Sequence, residues 1–260
     1  MPKTIVAVKR VSSGASRLNK FTLKFPSKIK KAFTLAEVLV TLTIIGVVSA
    51  MTIPTLHQRN TEQATINKVK KFYSTLSQAY QKTIIEYGTP EEWPYTGNSK
   101  NDTLTIFNYL IKNNFKIMTD CGFDNAGGCI YDGNYSYLNG NSHWNYAKDT
   151  SRFFYKVLLN DGSAIFFTEF NNPNNEHISF YIDVNGPNLP NQFGKDLFSF
   201  AIRDGKILPS GSKNTAYEFD KNCKRTKEGI GCTIWVIHKG NMDYLHCDDL
   251  SWNGKQKCGK

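Results

Sequence analysis

A single carboxylate, Glu37, stands inside a run of 21 residues, Phe33 to Ile53, that carries no other charge. An ionised side chain in hydrocarbon costs on the order of 2 to 3 kcal/mol, so a carboxylate kept there is expected to meet a cation. The bland alternative is that Glu37, near the end of the run, simply reaches the headgroups. A second chemically able set is the six cysteines, Cys121, Cys129, Cys223, Cys232, Cys247 and Cys258, all of which follow the apolar run. None forms a Cys-x2-Cys pair, and His57, His143, His177, His238 and His246 do not fall at ligand spacing around them, so disulfides rather than zinc are expected. Sequential pairing, Cys121 with Cys129, Cys223 with Cys232 and Cys247 with Cys258, is the simplest of many connectivities open to six cysteines. A third set is Asp183, Asn185 and Asp196, which put oxygen donors on a Gly/Pro-rich turn of the kind that suits Ca²⁺. The spacing is not that of an EF-hand, because the twelfth position from Asp183 is Gly194, and an ordinary turn uses the same residue types. No cofactor is required by this reading; a structural calcium ion is the one it suggests.

Little in the chain speaks for catalysis. Glu176 and His177 form a lone pair in an Asn-rich stretch, no Ser/His/Asp set can be assembled, and glycine-rich phosphate loops are absent. The expectation is therefore a protein that is not an enzyme. Trp93, Trp144, Trp235 and Trp252 are expected in core and edge packing, given how much area such rings bury.

These residues need elements to position them. As a helix the apolar run would be about 32 Å long, enough to cross a hydrocarbon core of about 30 Å. The formal charge of +10 sits ahead of it: residues 1 to 32 hold nine Lys/Arg and no Asp or Glu, leaving 23 cationic against 22 acidic groups elsewhere. That distribution removes the main argument for a nucleic-acid partner. It also places Lys28, Lys30 and Lys31 on the cytoplasmic side by the positive-inside rule, and the cysteines on the other. The basic groups Lys224, Arg225, Lys227 and Lys255, Lys257, Lys260 read as solvated faces of disulfide loops, with DNA capture as the sharper alternative.

The run from Lys30 to Val40, KKAFTLAEVLV, resembles the N-terminal processing and methylation motif of type IV pilins and type II secretion pseudopilins. The resemblance implies that a prepilin peptidase cuts between Ala32 and Phe33, that Phe33 becomes the N-methylated terminus, and that Glu37 is the fifth mature residue and serves subunit assembly. The sequence departs from the family at Ala32, where Gly is usual. Pro54 resembles the family's helix-kinking proline, and the loop holding Asp183 resembles loops that hold calcium in some pseudopilins. Cutting before Phe33 would create a positive amine at the end of an apolar helix, and Glu37 would supply its acceptor. The small residues Ala36, Gly46, Ser49 and Ala50 would let neighbouring helices approach. The implied partners are the prepilin peptidase, other pilin or pseudopilin subunits and the inner-membrane assembly platform. The competing model is an ordinary signal peptide cut after Val48-Ser49-Ala50, which would release a secreted binding module or enzyme, or leave a tethered one.

The expected division is a removable basic leader at 1–32, a transmembrane and filament-core helix at 33–54, an amphipathic half-helix at 55–88 and a disulfide-containing head at 89–260. Apolar residues at helical spacing, from Ile66 through Val69, Phe72 and Leu76 to Tyr87, support the second half-helix, which Gly88 and Pro90 end. In the head a helix is expected from Asp102 to about Met118. Strands are expected at Arg152 to Leu159, Ser163 to Phe170, Ile178 to Val184, Leu197 to Arg203, Thr233 to His238 and Met242 to His246. That order is α+β: a long N-terminal helix packed on an antiparallel sheet, as in pilins.

Overall fold

The computed structural model describes residues 33–123, 128–149, 151–169, 178–213, 215 and 217–259. The chain forms two compact units, Met1–Met51 and Thr52–Lys260, and one helix, α1 (Leu35–Tyr87), contributes to both. The expected leader, with Ala32, lies outside the described residues, as do Glu176 and His177.

In the first unit α1 is apolar on all sides. Leu35, Val38, Leu39, Leu42, Ile44, Ile45, Val47 and Val48 are exposed. The threonine hydroxyls inside this run are satisfied locally, Thr41 Oγ1 donating to the Val38 carbonyl at 2.9 Å and Thr43 Oγ1 to Leu39 at 2.8 Å. Polar groups turned back onto the helix leave a surface that hydrocarbon can solvate. Among the described residues α1 is the one helix long and apolar enough to cross a membrane.

In the second unit α1 buries one stripe: Ile66, Val69, Phe72, Leu76, Ala79, Tyr80 and Thr83. Steps of three and four keep these on one face, which is what a helix laid on a sheet requires. The helix ends at Gly88, whose amide donates to Ile84 O at 3.0 Å and whose φ of +75° suits glycine. Beyond it, α2 (Ser99–Ile106) starts at Asn98, whose side chain accepts from the Lys100 and Asn101 amides, and runs into a π-helical turn, Phe107–Ile111.

The sheet has six antiparallel strands in chain order: β1 (Ile117–Gly122), β2 (Tyr155–Leu159), β3 (Ala164–Glu169), β4 (Ile178–Asp183), β5 (Leu197–Arg203) and β6 (Lys206–Pro209). The β2–β3 connection turns through Asn160-Asp161-Gly162, with Gly162 at φ +77°. Alternation along β4 and β5 sends Phe180, Ile182, Phe198, Phe200 and Ile202 into the core shared with α1, where Phe72 meets Phe200 at 5.3 Å between ring centroids. The opposite face carries Phe166 and Leu197 beneath Ile130, Tyr135 and Tyr146 of the segment following Cys129. Lysines tie α1 to the β2–β3 turn: Lys71 Nζ lies 2.7 Å from Asp161 Oδ2, and Lys68 Nζ donates to Asp161 O at 3.2 Å and Val184 O at 2.6 Å. The long helix followed by an antiparallel sheet is the α+β, pilin-like layout.

Three expected elements differ. Met118 belongs to β1 rather than to the preceding helix, which has ended by Ile111. Thr233 to His238 forms a helix, α4 (Thr233–Lys239), and Met242 to His246 contains a 3₁₀ turn at Asp243–Leu245. Thr233, Ile234, Trp235 and Val236 are all buried, and Gly240, at φ +64°, closes the helix. Tertiary burial thus overrides the β propensity of Thr, Ile and Val. A short helix, α3 (Phe219–Asn222), precedes it. Disulfides join Cys121 to Cys129, Cys223 to Cys232 and Cys247 to Cys258.

Candidate functional site

The start of α1 is organised around Glu37. Its Oε2 accepts the Thr34 amide at 2.8 Å and the Thr34 hydroxyl at 2.9 Å, while the Glu37 amide donates to Thr34 Oγ1 at 3.2 Å. This reciprocal arrangement is a capping box, which satisfies two of the orphan N–H groups at a helix N-terminus. It also fixes the carboxylate beside Phe33, which is exposed. Thr34 is thus a positioning residue that the sequence reading passed over; the spacing Thr-x-x-Glu was its signal. Both accepted bonds use Oε2, which leaves Oε1 outside the capping box for a further donor. Pro54 lies within α1 and has no amide to donate to the turn before it.

A second constellation lies in the β4–β5 loop. Asp183 and Asp196 are buried, at 0 % and 4 % exposure. Asp183 Oδ2 accepts the Tyr135 hydroxyl at 3.0 Å, and the Asn191 amide nitrogen, in the orientation that satisfies it, donates to the same oxygen and to Asn188 O, each at 3.0 Å. Asp196 accepts the backbone amides of Asn191 at 2.7 Å and Gln192 at 2.6 Å. Burial, and then the charge of Asp196, push the Asp183 carboxyl well above the usual carboxylate range. Burial likewise raises Asp196, against the lowering effect of the Gln192 and Asn191 amides. Burial and the Asp183 charge raise Tyr135 too, which keeps its hydroxyl a donor. Asn185 completes the set: its Nδ2 donates to Leu189 O at 2.9 Å, and its Oδ1 is buried and has no hydrogen-bond partner among the described residues. Among the described residues no three His, Cys, Asp or Glu side chains gather as a metal site would need. A cation here would therefore depend on the two carboxylates, the Asn185 amide oxygen and loop carbonyls.

The basic groups near the C-terminus are partly neutralised. Arg225 makes a two-pronged contact with Asp248, its Nη2 lying 2.7 Å from Oδ2, and Lys255 lies 2.9 Å from Asp249. Lys260 lies outside the described residues. Trp93 and Trp235 are buried, the latter stacked on Phe219 at 4.4 Å, whereas Trp144 is 44 % exposed.

Two family models match the chain. One, described as the prokaryotic N-terminal methylation motif, covers residues 27–53 and so includes Ala32, Phe33 and Glu37. Together with the long helix and the antiparallel sheet, it defines a type IV pilin-like or pseudopilin-like protein. The motif implies processing by a prepilin peptidase and assembly with other pilin subunits, and the apolar helix fits a membrane-anchored protein whose head faces outward. The chain belongs to the family of unknown function DUF6613, whose model matches residues 55–228. No curated protein and no solved structure matches it.

Proposed function

We propose that the chain is a structural subunit, a pilin or pseudopilin, of a type IV pilus or type II secretion pseudopilus. In this reading it resides in the inner membrane with its head outside the cytoplasm, and acts by polymerisation on an assembly platform rather than by catalysis. The observation that carries the proposal is the start of α1: a carboxylate fixed by Thr34 at the head of a helix whose apolar side chains, from Leu35 to Ile45, are exposed among the described residues.

Cleavage between Ala32 and Phe33 frees an α-amine that stays cationic after methylation. Capping holds Glu37 at the same level of the helix, with Oε1 turned to a donor beyond its own Thr34. In a screw-symmetric assembly that donor is the amine of an adjacent subunit, and the pair sets the register while the apolar faces supply contact area. Mass spectrometry of the N-terminus, on protein from its native membrane, tests this. The expected terminus is N-methyl-Phe33; a terminus at Met51 would instead identify a secreted protein released by a signal peptidase.

A second reading concerns calcium, and the buried, unpartnered Asn185 Oδ1 favours it. A divalent cation between Asp183, Asn185 and Asp196 would relieve the repulsion between the two carboxylates and engage that oxygen. Added Ca²⁺ is then expected to raise the head's thermal midpoint, and Asp183→Asn to abolish the rise. An unchanged midpoint for the wild-type chain would leave the loop an ordinary turn.

A further inference from the structure

Three Asn-Gly pairs occur in the chain, Asn139-Gly140, Asn185-Gly186 and Asn253-Gly254. Their chemistry is the same. The glycine amide nitrogen can attack the side-chain carbonyl carbon of the asparagine before it, and glycine, with no β-carbon, hinders that approach least. The reaction requires an amide and a side chain that are free to meet, and water that can reach the product. The fold treats the three pairs differently.

In the first pair the Gly140 amide donates to Tyr137 O at 2.9 Å, and Asn139 Oδ1 accepts the Asn141 amide at 3.0 Å. In the second, Asn185 Nδ2 donates to Leu189 O at 2.9 Å, and the amide of Gly186, a buried residue, donates to Asp183 O at 3.3 Å. Gly186 is also packed so closely that a β-carbon there would lie 2.8 Å from Gly162 O. The third pair is exposed, and among the described residues neither the Asn253 side chain nor the Gly254 amide has a hydrogen-bond partner.

Asn253 and Gly254 lie in the loop closed by the disulfide between Cys247 and Cys258. Both sides of the pair are anchored. The Ser251 amide donates to Lys255 O at 3.0 Å, and Gln256 Nε2 donates to Trp252 O at 3.1 Å. Trp252 itself packs on Phe219 and Trp235, at 5.4 and 5.2 Å between ring centroids. The anchors hold the loop to the head and leave the pair between them presented to water. From Cys247 to Cys258 the loop carries two aspartates, Asp248 and Asp249, against two lysines, Lys255 and Lys257, and is formally neutral.

We propose that the fold selects Asn253, of the three asparagines, as a site of self-modification. The Gly254 nitrogen forms a bond to Asn253 Cγ, and the side-chain nitrogen leaves as ammonia, taking the proton that Gly254 gives up. Water then opens the succinimide at either carbonyl, giving aspartate or isoaspartate. Either product adds one negative charge and turns the loop from neutral to anionic. Isoaspartate also inserts an extra carbon into the main chain, next to the Trp252 anchor. The disulfide loop thereby carries a slow chemical mark whose extent grows with the age of the molecule.

The test is incubation of the full-length chain in detergent at mildly alkaline pH, followed by reduction, proteolysis and mass spectrometry. The Asn253 peptide is expected to gain the mass of an NH₂-to-OH exchange and to separate into two chromatographic forms. Asn139 and Asn185 should each react more slowly by roughly fivefold or more, because a hydrogen bond must first open at each. In the reduced chain unfolded by urea the three rates should converge. Equal rates in the native chain would overturn the proposal, as would an Asn253 that stays intact in the native chain while the unfolded chain reacts. An undiminished preference for Asn253 in urea would also overturn it, by removing the fold as the cause.

Discussion

The two halves of α1 share one backbone geometry and solve opposite solvation problems. Before Met51 the apolar residues surround the helix and are exposed; beyond Thr52 they narrow to the stripe from Ile66 to Thr83, and that stripe is buried. A full apolar circumference asks for a continuous apolar solvent, lipid or neighbouring helices, whereas a stripe asks for one surface, which the sheet provides. Polar side chains follow the same division. The hydroxyls of Thr41 and Thr43 bond back onto their own turn, but Lys68 and Lys71 reach out to the β2–β3 connection. The first half is built to be completed by other molecules, and the second is completed within its own chain.

The sharpest way to test that contrast is Glu37→Ala. It is expected to abolish incorporation into filaments, scored by sheared-fibre immunoblot, while the chain is still cut before Phe33 and the head melts at the wild-type temperature. Normal incorporation would remove charge pairing from the account. A paired comparison comes next: Leu76→Ala should destabilise the head by about 2 to 5 kcal/mol in denaturant unfolding, because Leu76 is fully buried, and Leu42→Ala, in the exposed half, should leave that value unchanged. Similar losses for both would show that the halves are not energetically separate. The smallest effect belongs to the ion pair that docks the helix. Burial raises the Asp161 carboxyl, but hydrogen bonds from Lys71 and Ser163 outweigh it and bring the pKa down to about 2. A carboxyl lowered on folding stabilises the head above its unfolded value near 4 and loses that contribution as the pH falls toward 2. Asp161→Asn should flatten this part of the stability profile and cost only about 0.2 to 1 kcal/mol at neutral pH, as a partly exposed pair does.

Much of this was legible in the sequence where one periodicity acts over many residues. The helical stripe of α1 is of that kind, the β-branched and aromatic runs of β2 through β5 are nearly as plain, and the Asn160-Asp161-Gly162 turn marks where one strand ends. What was not legible depends on neighbours far along the chain. β1 and β6 are edge strands, and β6 has only four residues and ends in Pro209, so neither carries a clear signal. α4 reads as a strand from composition but forms a helix whose Trp235 stacks on Phe219, sixteen positions earlier in the chain, a contact that composition does not announce. Thr34 is a different case: its only signal is the Thr-x-x-Glu spacing, although its hydroxyl, three residues away, is a direct partner of the Glu37 carboxylate.

The order of the sheet bears on how such a chain comes to be folded at all. Each strand from β2 to β6 pairs with the strand before it in sequence, and the three disulfides join cysteines 8, 9 and 11 positions apart. Short loops close at small entropic cost, and local pairings form quickly. Chain delivered across a membrane from its N-terminal end can therefore add one strand at a time to a growing edge, and each cysteine meets its partner within a dozen residues of emerging. No strand has to wait for the last residue to cross, so the head can mature in step with its own export.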